Sequence, residues 1–309
     1  MNQDVVIVGG GPAGLSAALT LGRGRKKVLL CDSGAPRNAA ADEVHNFVTR
    51  DGTPPREFRR IAREQLGAYP SVSLRDAAVV DVVREGELLR VRTDDGAEHL
   101  TRRVLLTVGV VDEVPDIPGA RGLWGHSIAQ CPYCHGWEVR GLPWGVLAPS
   151  AKLAEWALLL TGWTDDVIVF SEGADLPPDV VARLSQARVR VEPRRIRRLL
   201  GETHLEAVEL EDGARLARRM LFMHPRQRPA PLVERLGLAL DEQGFVRVDE
   251  QKQSSMPGVH VAGDAATPLQ AAIVASSAGM MAAALLNHAL TVEAALQGGP
   301  STRPGAARP

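Results

Sequence analysis

The chain has 309 residues, 45% of them hydrophobic, and a formal net charge of −1. That length supports a sizeable core and about two domains, and the near-neutral balance excludes a global pull toward nucleic acid or an anionic membrane surface. Three cysteines in so long a chain exclude a secreted scaffold built on disulfides. A reducing, cytoplasmic setting is therefore expected, and there a Cys-x-x-Cys pair is more often metal-binding or catalytic than structural. The opening "MNQDVVIVGGG" has no basic segment and no cleavage site, so no signal peptide is expected.

In chain order, the first predicted element is a buried-type apolar strand over Asp4 to Val8. Gly9, Gly11 and Gly14 follow in G-x-G-x-x-G spacing and lead through Pro12 and Ala13 into a helix of small residues. A second strand, Val28 to Cys31, ends at Asp32. The glycine spacing alone is weak evidence, since ordinary α/β turns also carry it. Set between a strand and a helix, with an acid closing the next strand, it predicts a dinucleotide site. Gly9 permits the tight turn, Gly11 lets the backbone approach a pyrophosphate, and Gly14 lets helix and strand pack closely. The helix N-terminus offers N–H groups and a positive dipole end to the phosphates, and Asp32 accepts hydrogen bonds from ribose hydroxyls.

Further along, "QCPYCHGWE" places Cys131 and Cys134 two residues apart. Such a pair can bind metal, staple a fold or carry electrons. Zinc needs four ligands, and the only other cysteine, Cys31, reads as a small buried hydrophobe at a strand end, so no metal is expected. A structural disulfide closing so short a loop gains little entropy. The dipeptide is also that of glutaredoxins, but that small domain carries the motif near its start. "WGVLAPSAKLAEWALLL" and "DVIVF" predict a strand, a helix and another strand. Six arginines lie between Arg188 and Arg198 and read as a solvated surface. All five tryptophans fall between Trp124 and Trp163. Most read as core, with Trp137 near enough to the cysteines in sequence to wall a pocket. The late stretch "AAIVASSAGMMAAALL" contains two serines and a glycine and is expected to fall short of a membrane span. "VHVAGDAATPLQAA" predicts a strand over Val259 to Ala262, then Gly263 and Asp264, then a helix of small residues. The terminal "QGGPSTRPGAARP" reads as disordered.

This last unit resembles the second FAD fingerprint of the flavoproteins with two dinucleotide folds, and "LLTVGV", Leu105 to Val110, resembles the strand that returns the chain to the cofactor in that family. With strand–GGGPAG–helix at one end, a mid-chain Cys-x-x-Cys and "VAGDA" at the other, the chain resembles the low-molecular-weight thioredoxin reductase family over about residues 4 to 290. The resemblance implies an α/β fold of two dinucleotide-binding, Rossmann-like, three-layer domains, the second inserted into the first. The FAD domain is expected over 1–112 and 241–295, the inserted domain over 113–240 and a flexible tail over 296–309. "VPDIPGARG" and "LALDEQGFVRVDE" look like the crossings. The cofactor implied is FAD, held by Gly9, Gly11, Pro12, Ala13, Gly14, Asp32, Arg37, Thr107, Gly109, Gly263 and Asp264. The last helix, starting near Gln270 and Ala271, would face the flavin's pyrimidine edge and stabilise negative charge there. His45 and Asn46, in "DEVHNFVTRDG", are expected beside the flavin ring. A homodimer is implied as well.

The chain departs from that family in two places. A reductase needs a second glycine turn for NADPH; read along "WGVLAPSAKL", only Gly145 survives and Leu147 stands at the second glycine position. After "DVIVF" comes "SEGADLPPD", an acid and two prolines where arginines should meet a 2′-phosphate. Nicotinamide binding is therefore expected to be lost. The second departure is His135, where the family carries an aspartate. "CPYCHGWE" resembles instead the FAD-dependent dithiol oxidases of the gliotoxin and holomycin pathways. That resemblance implies a small-molecule dithiol substrate, attack at Cys131, transfer of electrons from Cys134 to FAD and then to O2, and His135 as general acid and base. A holomycin-like ene-dithiol is the favoured substrate. The competing readings are a thioredoxin-reductase-like enzyme fed by another donor and a flavin-bearing binding protein without catalysis.

Overall fold

A computed structural model describes residues 2–298. The chain forms two compact units. One takes the chain up to Arg37, Arg56–Val111 and the chain from Arg228 onward; the other takes Asn38–Pro55 and Asp112–Gln227.

The first unit opens with β1 (Gln3–Val8), α1 (Pro12–Arg23) and β2 (Val28–Cys31). After residues 38–55 it resumes with α2 (Pro55–Leu66), β3 (Val72–Arg75), β4 (Val79–Glu85), β5 (Leu88–Thr93) and β6 (Glu98–Leu106), and leaves through β7 (Val110–Glu113). The second unit contains α3 (Ala120–Leu123), β8 (Ile128–Ala129), α4 (Pro132–His135), β9 (Trp144–Leu147), α5 (Ala151–Leu160), β10 (Val167–Phe170) and α6 (Pro178–Gln186). Then follow β11 (Arg190–Glu192), β12 (Ile196–Leu200), β13 (Ala207–Leu210), β14 (Arg215–Ala217) and β15 (Met220–Met223). The chain returns by β16 (Arg226–Pro229), and the first unit ends with α7 (Pro231–Arg235), β17 (Val259–Val261) and α8 (Ala272–Leu296).

In the first unit β3, β2, β1, β6 and β17 run parallel, while β5 and β4 extend the sheet from β6 in antiparallel pairing. Strand periodicity explains the layers: Val6 and Val8 of β1 face one core, whereas Val5 and Ile7 face another under α1 and α8. α8 is a 25-residue helix, and by length and composition it is long and apolar enough to cross a membrane, contrary to expectation for that stretch. Its inner face, with Ala282, Ala283, Leu286 and Leu290, is packed into the core against Leu21 of α1. The approach is so close that a side chain at Gly279 would overlap the backbone of Ala13.

The second unit repeats the pattern β–α–β–α–β as β9-α5-β10-α6-β11. Its parallel sheet has the order β11-β10-β9-β15-β8, beside an antiparallel β12-β13-β14 sheet. Trp144, Phe170 and Phe222 are wholly buried here. This is the Rossmann-like, two-domain α/β architecture expected.

Four boundaries differ from the sequence reading. The crossing strands are β7 and β16, which pair with each other, and residues 228–240, expected in the inserted domain, belong to the first unit. The reason is burial: Leu232, Val233 and Leu238 lie in the core with Val82 and Leu89. Residues 38–55, expected in the FAD domain, belong to the second unit. The strand expected over Leu105 to Val110 breaks at Thr107–Gly109, where Gly109 takes the left-handed φ of 65°. α8 runs through Leu296, the first residue of the tail expected over 296–309; residues 299–309 lie outside the described residues.

Candidate active site

In the first unit, the end of β1, the start of α1 and the end of β6 meet at the glycine turn. Gly9 has φ 109°, and the Thr107 hydroxyl lies 2.9 Å from the carbonyl oxygens of both Val8 and Gly9, fixing the turn from β6. A Cβ at Gly14 would overlap the Gly9 carbonyl. One at Gly11 would meet no atom within 4 Å, so the space in front of the α1 N-terminus is open. Asp32 closes β2 beneath this turn, buried and so close that a Cβ at Gly10 would overlap its carboxylate. Its Oδ1 accepts from the Gly34 amide at 3.1 Å. Its Oδ2 pairs with Arg59, whose Nε donates to the Gly10 carbonyl at 3.3 Å, and lies 3.5 Å from Arg63. Sequence reasoning missed Arg59. The available signal was the four-residue spacing of Arg59 and Arg63, which puts them on one face of α2.

At the other edge, Gly263 (φ 80°) turns the chain from β17 into Asp264. Arg37 Nη1 donates to Asp264 Oδ2 at 2.8 Å, so these two predicted residues meet. Ala271 is the extended residue that precedes α8, and Gln270 Nε2 lies 3.4 Å from the Thr267 carbonyl. Pro12 is the first residue of α1, and Ala13 is buried beneath α8. An unobstructed helix N-terminus, a glycine cradle and a held carboxylate suit the pyrophosphate and ribose of a dinucleotide.

The corresponding place in the second unit is built differently. Three residues join β1 to α1, and three, Ala148–Ser150, join β9 to α5. Ala148, Ser150 and Leu153 therefore stand where Gly9, Gly11 and Gly14 stand, and this corrects the reading based on Gly145 and Leu147. Gly145 is instead inside β9, where a Cβ would press on Phe170 and Leu221; it serves strand packing. The Ser150 hydroxyl caps α5 by accepting from the Leu153 amide. Ser171 takes the place of Asp32, and the next residue, Glu172, accepts from the Ile196 amide at 2.8 Å. Burial holds the Glu172 pKa above the usual carboxylate value. Several of the nearby arginines are spent on carboxylates: Arg194 on Glu192 and Asp212, Arg198 on Glu209.

The cysteine pair lies in the second unit. Cys131 and Cys134 form a disulfide, with Cα atoms 5.3 Å apart, across the single turn of α4. Cys131 is extended and precedes the helix, and Pro132 begins it. The Cys134 amide donates to the Cys131 carbonyl at 3.2 Å and the Gly136 amide to the Pro132 carbonyl at 2.7 Å. Both ring nitrogens of His135 are buried without a hydrogen-bond partner among the described residues. Burial lowers its pKa below the ordinary histidine value; the nearby carbonyls of Cys131 and Gly125 pull upward, but neither meets hydrogen-bond geometry.

Residues 38–55 make a strap against this turn. His45 lies 3.2 Å from Glu43, 3.4 Å from Asp51 and 3.6 Å from Glu138, and Asn46 Nδ2 donates to the Tyr133 carbonyl at 2.6 Å. His45 and Asn46, expected with the flavin contacts, thus share a unit with the cysteines. Asp42 lies 3.1 Å from His126. Of the tryptophans, Trp144 is buried and Trp163 meets Tyr133 edge-on at 5.3 Å. Trp137 is 64% exposed, with Arg140 stacked 3.9 Å from its ring centre. The third cysteine, Cys31, is buried in the first unit with its thiol pushed up to about 11.

The family model of pyridine nucleotide-disulphide oxidoreductases matches residues 3–154 and 179–279. Among similar proteins is thioredoxin reductase tcpT of Claviceps purpurea, 34% identical over 84% of this chain and 86% of that one. Two solved structures superpose with TM-scores of 0.89. One is HlmI, at 38% identity over 96% of both chains. The other is a putative thioredoxin reductase, TrxB, from Bacillus anthracis, at 33% identity over 94% of this chain and 99% of that one.

Proposed function

This chain belongs to the pyridine nucleotide-disulphide oxidoreductase family, whose members are flavoproteins, and from that premise we propose that it is an FAD-dependent oxidase that turns a small-molecule dithiol into its intramolecular disulfide. The carrying observation is the turn Ala148–Ser150. A second nucleotide fold is present, but no glycine stands where a pyrophosphate would approach, and Ser150 already caps the helix. Electrons then come from the dithiol and not from a nicotinamide.

One substrate thiolate attacks Cys131 Sγ; the Cys131–Cys134 bond breaks and a mixed disulfide forms, leaving Cys134 as thiolate. The second substrate sulfur attacks the mixed disulfide and releases Cys131, so the substrate departs as a cyclic disulfide and the protein keeps the two electrons as a dithiol. His135, neutral because it is buried, takes the proton of the incoming thiol and returns it to the departing cysteine. Bound FAD would supply the two-electron acceptor that lets the cysteines return to the disulfide, with O2, reduced to hydrogen peroxide, as the final acceptor. Gly9, Gly11 and Gly14, with Asp32, Arg37, Thr107 and Asp264, would hold it. The exposed rings of Tyr133 and Trp137 suit an apolar or heteroaromatic substrate.

The test is anaerobic mixing followed by oxygen uptake. NADPH and NADH should leave the flavin oxidised, while dithiothreitol bleaches it. Reduced holomycin or reduced gliotoxin should drive oxygen uptake, and reduced thioredoxin should not. Rapid bleaching by NADPH, or efficient turnover of thioredoxin alone, overturns this reading in favour of the disulfide reductase that the names of several relatives suggest.

A further inference from the structure

The strap of residues 38–55 carries backbone that its sequence does not favour. Asn46 and Thr49 adopt φ of 59° and 75°, the left-handed region that non-glycine residues enter only when their surroundings hold them there. The surroundings are specific. Val44 and Thr53 pair across the loop base, with amide-to-carbonyl distances of 2.8 Å from Val44 to Thr53 and 3.0 Å from Gly52 to Val44. Inside the loop, Asp51 Oδ1 accepts the Asn46 amide at 2.8 Å. The strained loop thereby presents the Asn46 side chain to the carbonyl of Tyr133, the residue between the two cysteines, at 2.6 Å.

Among the described residues that carbonyl has no other partner. The turn of α4 satisfies the carbonyls of Cys131 and Pro132, but among the described residues no backbone amide reaches Tyr133. Asn46 supplies the missing donor, and asparagine is among the side chains that enter the left-handed region at least cost.

We propose that Asn46 is a positioning residue for the redox pair: its amide pins the middle of the Cys131–Cys134 turn and so favours the disulfide over the dithiol. The reasoning is entropic. In the disulfide the S–S bond itself holds the turn. Once that bond is cleaved, the Asn46 tie is the restraint left at the Tyr133 carbonyl, and it keeps the two thiols close. Removing the tie releases freedom chiefly in the dithiol and pulls the equilibrium toward it. One hydrogen bond of this kind shifts an equilibrium by up to about tenfold. The inference rests on the redox role assigned to the cysteine pair above, but it requires neither a dithiol substrate nor O2 to be the physiological partner.

The experiment equilibrates the holoenzyme anaerobically with graded ratios of reduced and oxidised dithiothreitol. Each disulfide reduced consumes one reduced reagent and yields one oxidised reagent. The samples are acid-quenched and alkylated, and the modified cysteines are counted by intact mass. Two variants separate the side chain from its backbone strain. Asn46→Gly keeps the left-handed conformation at no steric cost, and Asn46→Asp keeps the shape but offers the Tyr133 carbonyl no donor. Both should shift the equilibrium about tenfold toward the dithiol, about 30 mV for a two-electron couple, while Asn46→Gly keeps or raises the thermal midpoint. A shift under about twofold in both variants, with normal folding, overturns the proposal. A shift toward the disulfide overturns it as well. If the tenfold shift is found but no dithiol drives oxygen uptake, the positioning role stands and the oxidase reading alone falls.

Discussion

At the scale of single residues, the three cysteines differ because their surroundings differ. Cys31 is 1% exposed at the end of the strand that Asp32 closes, and burial pushes its thiol up to about 11. At pH 8 it is neither ionised nor reachable. The oxidised protein should therefore show no thiol reactive toward Ellman's reagent, the reduced protein two, and the denatured reduced protein three; a rapidly reacting thiol in the oxidised native protein would contradict the site as described. His135 makes a prediction with a defined sign. Its folded pKa lies below the unfolded value, about 6.5. Above pH 6.5 both states are neutral and the group costs nothing. As pH falls through 6.5 toward the folded value, the unfolded chain takes the proton first and stability is lost. His260, buried and lowered for the same reason, adds a loss of the same sign. His135→Asn should flatten part of that acid slope in urea melts collected between pH 7 and 5, and should slow flavin reduction by dithiols about 10²- to 10⁴-fold at pH 7. An unchanged rate would make His135 a packing residue.

At the scale of elements, the glycine turn between β1 and α1 separates two jobs that one motif combines. Gly14 has no room for a side chain, because Cβ would overlap the Gly9 carbonyl and sit 2.7 Å from the Thr107 hydroxyl. Gly11 has room in this structure, and its missing side chain matters only when a phosphate comes close. Gly14→Ala should thus destabilise the first unit by about 1–3 kcal/mol, read as a lower thermal midpoint with or without FAD. Gly11→Ala should fold like the parent and lose FAD on gel filtration. If Gly11→Ala keeps its flavin, the cradle has been assigned to the wrong residue.

At the scale of the whole molecule, the two units bury separate cores. No residue of the clusters around Val6 and Leu21 recurs in those around Trp144 and Leu221. Damage to one core should therefore stay local. Phe222 is fully buried, with its ring 5.0 Å from that of Trp144. Phe222→Ala should cost the second unit about 3–5 kcal/mol. Calorimetry should show one transition moving down, and disulfide chemistry should fail at lower temperature, while the flavin stays bound. Loss of both properties together would mean that the units unfold as one.

What the amino-acid order by itself determined is whatever depends on neighbours in sequence. The β1–turn–α1–β2 unit was legible because an apolar run, three glycines at set intervals and a closing acid each impose a local conformation within thirty residues. The cysteine pair with its histidine was legible for the same reason, and the two-domain α/β plan followed from the family resemblance that these motifs carry. The tertiary structure decided what depends on where strands end and which distant segments meet. By spacing Gly145 reads as the remnant of a phosphate turn, but β9 runs through Leu147, three residues beyond where the motif would place its end. His45 and Asn46 follow Asp32 in sequence, but they reach the cysteine turn because side chains of the strap find Tyr133 and Glu138 about ninety residues later. The pairing of Arg59 with Asp32 and of Arg37 with Asp264 is likewise set by the parallel sheet that brings α2 and β17 to one edge. Spacing cannot encode such contacts, because their energy is collected only after the chain between them has closed into a fold.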